Sequence, residues 1–267
     1  MSIHHHAIVH PNASLGAGVS VGPFCYIEDD VEIDEGSYVH NGVTIFSGSR
    51  IGKNVQIFPG AVIGGVPQDL KFRGEYTTAE VGDNTVIREH VTVNRGTVAA
   101  GRTVVGKNCL LMAYAHVAHD CILGDNIIIA NNVNLAGHVI LEDYVIIEGQ
   151  VGVQQFVRIG RHSFIAGGSL VRKSVPPYIR AAREPLSYIG VNRIGLQRRG
   201  FSIETINAIH EIYRILFVKG LNISNAITEI EASVPVSDER DEVIRFINTS
   251  DRTGIIRAFQ AMESSVG

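Results

Sequence analysis

The sequence predicts a mainly β chain, with a parallel β-helix of six-residue repeats over residues 1–175 and a small α-helical domain over 176–267. Three observations carry this reading. Every sixth residue is aliphatic, small residues recur on a second phase of the same clock, and after Val171 that clock stops and a helical one starts. Counting from Ile3 to Val171, 26 of 29 positions are Ile, Val or Leu, the exceptions being Asp69, Glu75 and Ala99. A helix needs a period of about 3.6 and a simple strand a period of about 2. Six fits neither. It fits a solenoid in which each hexad makes one short flat side, three sides closing a coil of about 18 residues.

The N-terminal stretch MSIHHHAIVHP has no basic region followed by an apolar run, so no secretory signal is expected. Ile3 and Val9 are already in phase, so His4–His6 read as native sequence. Glycine often follows the aliphatic residue, as at Gly16, Gly22, Gly52, Gly106 and Gly124. The second inward phase holds small or β-branched residues, among them Ala13, Val19, Ser37 and Ala115, and all three cysteines, Cys25, Cys109 and Cys121. The cysteines are therefore expected to pack as small apolar groups, with no disulfide, in keeping with a cytoplasmic protein. The ladder breaks at residues 64–80 and 95–103 and resumes in phase, so both segments read as loops that leave the coil and return. Loops on a rigid scaffold are where function concentrates. Beyond Val171 the run SVPPYIRA marks a boundary. Ser202 then precedes Ile203, Ile206, Ile209, Ile212, Tyr213 and Leu216 at helical spacing, with Gly220 as the stop. Further helical patterns lie near 224–233, 238–248 and 254–262. Such a domain would cover the open end of the solenoid and hide its edge.

Composition excludes some functions. Formal charge is −4, which gives no reason to expect nucleic acid. No apolar stretch approaches the ~20 residues of a membrane span. Charge is uneven, however: residues 171–220 hold nine Lys or Arg and only three acids. A basic zone on an acidic chain points to an anionic partner.

Coil arithmetic gives meaning to AYAHVAHDC, residues 113–121. In the unbroken run 105–171, residues one coil apart stack ~4.8 Å apart along the axis. Gly137 then lies over His119 and Gln155 over Gly137, while His138 lies over Asp120. His116 and His119 are off the inward phase, so both can face outward. An imidazole with ordinary pKa near 6.5 can take a proton at neutral pH, and a carboxylate beside it can fix its tautomer. A glycine N–H can donate to a developing oxyanion. This constellation suits acyl transfer. Zinc held by His90, His116, His119 and His138 is the competing class, and it would need those rings to converge on one ion. An ice-binding solenoid would show flat Thr-x-Thr ladders, and none occur.

The segments PQDLKFRGE, HVTVNRGT, AHVAHDC, ANNVNLAGHV, VQQFVRIG, VPPY and GVNRIGLQRRGF occur in this order. Together they strongly resemble the UDP-N-acetylglucosamine O-acyltransferases, which catalyse the first step of lipid A assembly. The resemblance covers nearly the whole chain. It implies a left-handed coil, against the usual right-handed crossover. It implies transfer of a (3R)-3-hydroxyacyl chain from acyl carrier protein to the glucosamine 3-hydroxyl of UDP-N-acetylglucosamine. No metal is implied, and no cofactor beyond the phosphopantetheine that carries the acyl group. His119 matches the general base, Asp120 its supporting carboxylate and Gly137 the backbone donor to the oxyanion. Asp69 and Lys71 match loop residues that hold the sugar nucleotide. His116, His138 and Gln155 match substrate-pocket positions, and Asn192, Arg198 and Arg199 match nucleotide and phosphate contacts. The family is a homotrimer with sites in the clefts between solenoids. This chain departs from some relatives at Pro67, Asn94, Gln154 and Ile194. A related N-acyltransferase and a bifunctional uridylyltransferase both carry an extra N-terminal domain, whereas here the ladder starts at Ile3. An acetyl-coenzyme A-dependent sugar acetyltransferase stays open.

Overall fold

The computed structural model describes residues 1–250 and 252–259. Short strands, most of two residues, follow each other every six residues from Ser2–Ile3 to Leu170–Val171. They stack into three parallel sheets, the faces of a triangular prism. In the middle of the coil the first face holds Leu110–Leu111 and Ile128–Ile129, the second His116–Val117 and Asn134–Leu135, and the third Ile122–Leu123 and Ile140–Leu141. Partners one coil apart differ by 18 residues, as in Val117↔Leu135 and Leu135↔Val153. The offset grows to 30 in Ile57↔Ile87 and 24 in Val93↔Val117. The two interruptions therefore add whole hexads and keep the phase.

The six-residue clock is the packing of the interior. Ile27, Ile45, Ile63, Ile87, Leu111, Ile129, Ile147 and Ile165 are fully buried, and so are the second-phase residues Val43, Ala61, Val91, Val133 and Val151. Burying each Ile, Leu or Val contributes about 1.5–3 kcal/mol, so the ladder is the main stabilising feature. The cysteines lie in it as free, buried thiols. Burial pushes Cys109 up to about 11 and Cys121 to about 12, which keeps both thiols inert.

Each corner is turned by one residue of left-handed backbone. From residue 108 to 168 these are Asn108, Tyr114, Asp120, Asn126, Asn132, His138, Tyr144, Gln150, Phe156, His162 and Gly168, one every six. Asp120, His138 and Phe156 line up at the corner between the second and third faces. The loops leave there too: residues 66–77 lie between Val62–Gly65 and Thr78–Val81, and residues 95–101 between Thr92–Asn94 and Arg102–Val105. Both are shorter than the sequence suggested, because the flanking residues extend the strands.

The C-terminal part begins with strands rather than helix. Ile179–Ala182 adds to the first face and turns back as Ser187–Val191. Four helices follow: α1 (Arg193–Arg198), α2 (Ile203–Phe217), α3 (Ile223–Ser233) and α4 (Asp238–Asn248). Ser202 caps α2 by accepting from the Thr205 N–H, and Ile206, Ile209, Ile212, Tyr213 and Leu216 form its buried stripe. The helix expected over 254–262 does not form across the described residues 254–259, and 260–262 lie outside them. Gly254 turns the chain at φ 63°, Ile256 N–H donates to Ser174 O, and Arg257–Ala258 pairs with Ser187–Tyr188. Consecutive β-branched Ile255 and Ile256, both buried, favour this extended course. Among the described residues, no helix is long and apolar enough to cross a membrane.

Candidate functional site

A cleft of about 530 Å3 lies on the second face, opening at the corner where both loops leave. His116, His119, Gly137, Gln154, Leu170 and Arg172 line it, and Gln68 reaches it from the first loop.

His119 lies against Gly137 one coil away, as 18-residue stacking requires. A Cβ on Gly137 would come 2.5 Å from His119 Cε1 and 2.7 Å from Nε2. Any side chain there would displace the ring. The backbone ladder passes on either side of the Gly137 amide: Ala136 N–H donates to Val153 O and His138 N–H to His119 O. The Gly137 N–H itself takes no part in that ladder.

His119 Nδ1 lies 2.8 Å from Asp120 Oδ2. Asp120 is buried, and the second loop wraps it. Thr97 donates its backbone N–H to Oδ1 at 2.8 Å and its hydroxyl to Oδ2 at 2.7 Å, and Ala100 N–H adds a third bond at 3.2 Å. Thr103 Oγ1 accepts the Asp120 N–H. Burial alone would raise this carboxyl. The bonds from Thr97 and His119 outweigh burial and hold it below its ordinary range, so it stays ionised. An ionised acceptor on Nδ1 keeps the proton there and leaves Nε2, the atom beside Gly137, free to accept one.

The neighbouring imidazoles are tuned differently. His116 Nδ1 bonds Thr92 Oγ1 at 2.7 Å, and burial, then the nearby His119, lower its affinity for protons. His138 packs edge-on to His119, with ring centroids 5.2 Å apart, and stacks on Phe156 at 4.7 Å. Its Nε2 is 3.6 Å from Asp120 Oδ2. Burial lowers it, and Asp120 pulls the other way without prevailing.

His119, Asp120 and His138 bring ligand atoms within 4.8 Å of one another, which is a possible metal geometry. Both Asp120 oxygens are already hydrogen-bonded, however, and His119 Nδ1 is committed to one of them. His90 belongs to another corner, stacked on Tyr114 at 5.0 Å. The rings of a four-histidine site therefore do not converge.

The other expected residues divide into two groups. Asp69 lies in the first loop, close enough to act on the charge of His138. Lys71 is exposed beside it, its N–H bonded to Asp69 Oδ1. Gln154, not Gln155, lines the cleft, because Gln155 is one step further around the corner. Asn192, Arg198 and Arg199 are at a different corner, between the third and first faces, and one chain does not bring them to the cleft. Asn192 is buried and caps α1 from Oδ1, while its Nδ2 donates to His162 O. Its side chain is thus committed to holding α1 in place. Arg198 is exposed, and Arg199 lies over Tyr144 and donates to its carbonyl.

Thr97 and Gln68 were not foreseen. The in-phase return of the ladder after residue 103 was the available signal, because it forces the second loop to end beneath Asp120. Two of the departures from related sequences meet here as well: Asn94 Nδ2 donates to Val66 O, next to buried Pro67, and ties the first loop to the coil.

Comparison with known proteins gives the family and the fold. Residues 175–256 match the family model described as UDP N-acetylglucosamine O-acyltransferase, domain 2, and residues 12–47 and 102–137 match bacterial transferase hexapeptide repeats. An acyl-[acyl-carrier-protein]–UDP-N-acetylglucosamine O-acyltransferase from Trichlorobacter lovleyi is 46% identical over 96% of this chain and all of that one. One from Paraburkholderia phymatum is 40% identical over 96% of this chain and 99% of that one. The crystal structure of a UDP-N-acetylglucosamine acyltransferase from Bacteroides fragilis superposes with a TM-score of 0.94 at 50% identity, covering 95% of this chain and 99% of that one. The Arabidopsis enzyme superposes at 0.85 and 33% identity, covering 96% and 100%. The left-handed parallel β-helix of hexapeptide repeats with short C-terminal helices is the fold they share. The chain belongs to the UDP-N-acetylglucosamine O-acyltransferase family.

Proposed function

We propose that this enzyme transfers a (3R)-3-hydroxyacyl chain from acyl carrier protein to the 3-hydroxyl of UDP-N-acetylglucosamine, the first step of lipid A biosynthesis. The observation that carries the reading is the contact of His119 with Gly137 across one coil, with Asp120 behind the imidazole.

In this mechanism His119 Nε2 takes the proton of the sugar hydroxyl as its oxygen attacks the thioester carbonyl. Asp120 holds the ring by Nδ1 and stabilises the imidazolium that forms. The Gly137 N–H donates to the oxyanion of the tetrahedral intermediate. Collapse of that intermediate expels the phosphopantetheine thiolate, and the imidazolium returns the proton to its sulfur. His116 borders the sugar and acyl groups from the cleft wall, His138 and Gln155 approach them from the adjoining corner, and Asp69 and Lys71 hold the sugar nucleotide from the first loop. A homotrimer is part of this reading. Only a neighbouring solenoid can carry Asn192, Arg198 and Arg199 towards a cleft that lacks them in its own chain. The acyl carrier protein, an acidic partner, docks on the basic 171–220 zone.

The test is incubation with UDP-N-acetylglucosamine and a panel of 3-hydroxyacyl carrier proteins, with product masses read out. A sugar nucleotide heavier by one hydroxyacyl group is the expected product. No product with any chain length, together with transfer from acetyl-coenzyme A, would replace this reading with the acetyltransferase one.

A further inference from the structure

We propose that Arg252 is a further substrate-contacting residue of this site, holding a phosphoester group of one of the two substrates. This rests on the acyl-transfer reading above. After α4 the chain returns to the corner of His119. Thr253 Oγ1 is 2.7 Å from Ser174 Oγ, Ser174 N–H donates to Gly254 O, and Ile256 N–H donates to Ser174 O. Ser174 is one coil beyond Phe156, so the segment is fastened to the same stack that holds His138 and Asp120. The fastening brings Arg252, which is exposed, to this corner. The Arg252 guanidinium carbon lies 3.2 Å from the centre of the Phe156 ring, and Phe156 stacks on His138.

Asp69 and Arg252, from distant parts of the chain, both act on the charge of His138, in opposite directions. Arg172, the cation that lines the cleft, is engaged with Glu184 at 2.7 Å. Arg252 lies over an aromatic ring, a contact that limits how the guanidinium can move and leaves N–H donors for bidentate contact. Those donors match phosphate oxygens better than a lysine would. Both substrates supply such a group: the diphosphate of the sugar nucleotide, and the phosphodiester that joins pantetheine to the carrier protein.

Steady-state kinetics of the full-length Arg252→Gln and Arg252→Ala enzymes test this. Acceptor is titrated first, and then two synthetic donors are compared, hydroxyacyl-phosphopantetheine and hydroxyacyl-pantetheine. KM for one substrate should rise about 10- to 100-fold, the worth of a charge-assisted hydrogen bond. kcat should stay within about threefold, because the contact is made equally in ground and transition states. If the donor phosphate is the ligand, Arg252→Gln erases the preference for the phosphorylated donor. If the acceptor diphosphate is the ligand, that preference survives and KM for UDP-N-acetylglucosamine rises. Glutamine keeps a planar group over Phe156, so it carries the test should the alanine variant unfold. An active Arg252→Gln enzyme with every KM within about twofold of wild type overturns the proposal. A wild-type enzyme that transfers nothing overturns the site reading as well.

Discussion

At the corner between the second and third faces, Asp120, His138 and Phe156 occupy the left-handed position in consecutive coils; at the corner between the third and first faces, Tyr144, His162 and Tyr178 do. Both sets stack: His138 on Phe156 at 4.7 Å, His162 on Tyr144 at 4.8 Å. Both contain an imidazole, yet their environments oppose each other. His162 is sealed beneath α1 and Phe201, with Arg199 and Arg161 nearby, and its Nδ1 finds no partner among the described residues. Burial, reinforced by those two cations, pushes it down to about 3, so it is neutral near physiological pH. The His119 corner has a buried, ionised carboxylate, a glycine in place of a side chain, and an open cleft. The repeat supplies the stack at both corners. What departs from the repeat, a loop carrying Thr97, decides which corner holds an ionised carboxylate against its imidazole.

The largest expected effect of breaking this contrast is at the open corner. His119→Ala should stay folded and lose about 10²–10⁴ in turnover, the usual worth of general-base catalysis. A rate near wild type would remove His119 from that role. Gly137→Ala comes next. Its methyl carbon would have to sit 2.5 Å from the imidazole, so the ring must move. A displacement of about 1 Å costs on the order of 10²-fold in rate. A crystal structure of this variant with the His119 ring unmoved would contradict the packing argument.

Thr97→Val sharpens the comparison by making the open corner less polar without opening a cavity. It removes one donor to Asp120 and should cost about 1–3 kcal/mol of stability at neutral pH. The pH dependence has a definite sign. A carboxyl held below its unfolded value contributes stability above that value, about 3.9, and the contribution is lost as pH falls through the folded value. Thr97→Val brings the folded value back up, so the midpoint of acid unfolding should move to higher pH. An unchanged midpoint would mean that the hydroxyl does not hold the charge. The smallest effect is expected at the sealed corner. His162→Phe keeps the stack and loses an uncharged ring, so stability should change by less than about 1.5 kcal/mol and the pH–rate profile should not move. A displaced profile would show that His162 titrates after all.

The coil was legible because its signal repeats. With 26 of 29 positions aliphatic, no single exception could hide the period, and the stacking of Gly137 on His119 follows from counting alone. The first turn of α2 was legible from Ser202, whose cap needs no tertiary partner. Residues that act only through distant contacts were not readable. Thr97 lies in a loop whose path the period cannot give. Residues 254–259 carry an apolar pattern that suits a helix until Ser174 and Ser187–Tyr188 offer a strand edge. Asn192 is a site residue by resemblance alone, and counting along the coil could not give the bonds that its side chain makes to His162 and α1.

A double-mutant cycle of His119→Ala and Asp120→Asn, read as turnover with saturating donor and acceptor, tests directly whether the pair at the open corner works as one device. Alone, Asp120→Asn should slow turnover by about 10²-fold or more; on the His119→Ala background it should cost less than about threefold, because a carboxylate with no imidazole to orient has nothing left to do. Losses that simply multiply would contradict this and would assign the proton transfer to some other group.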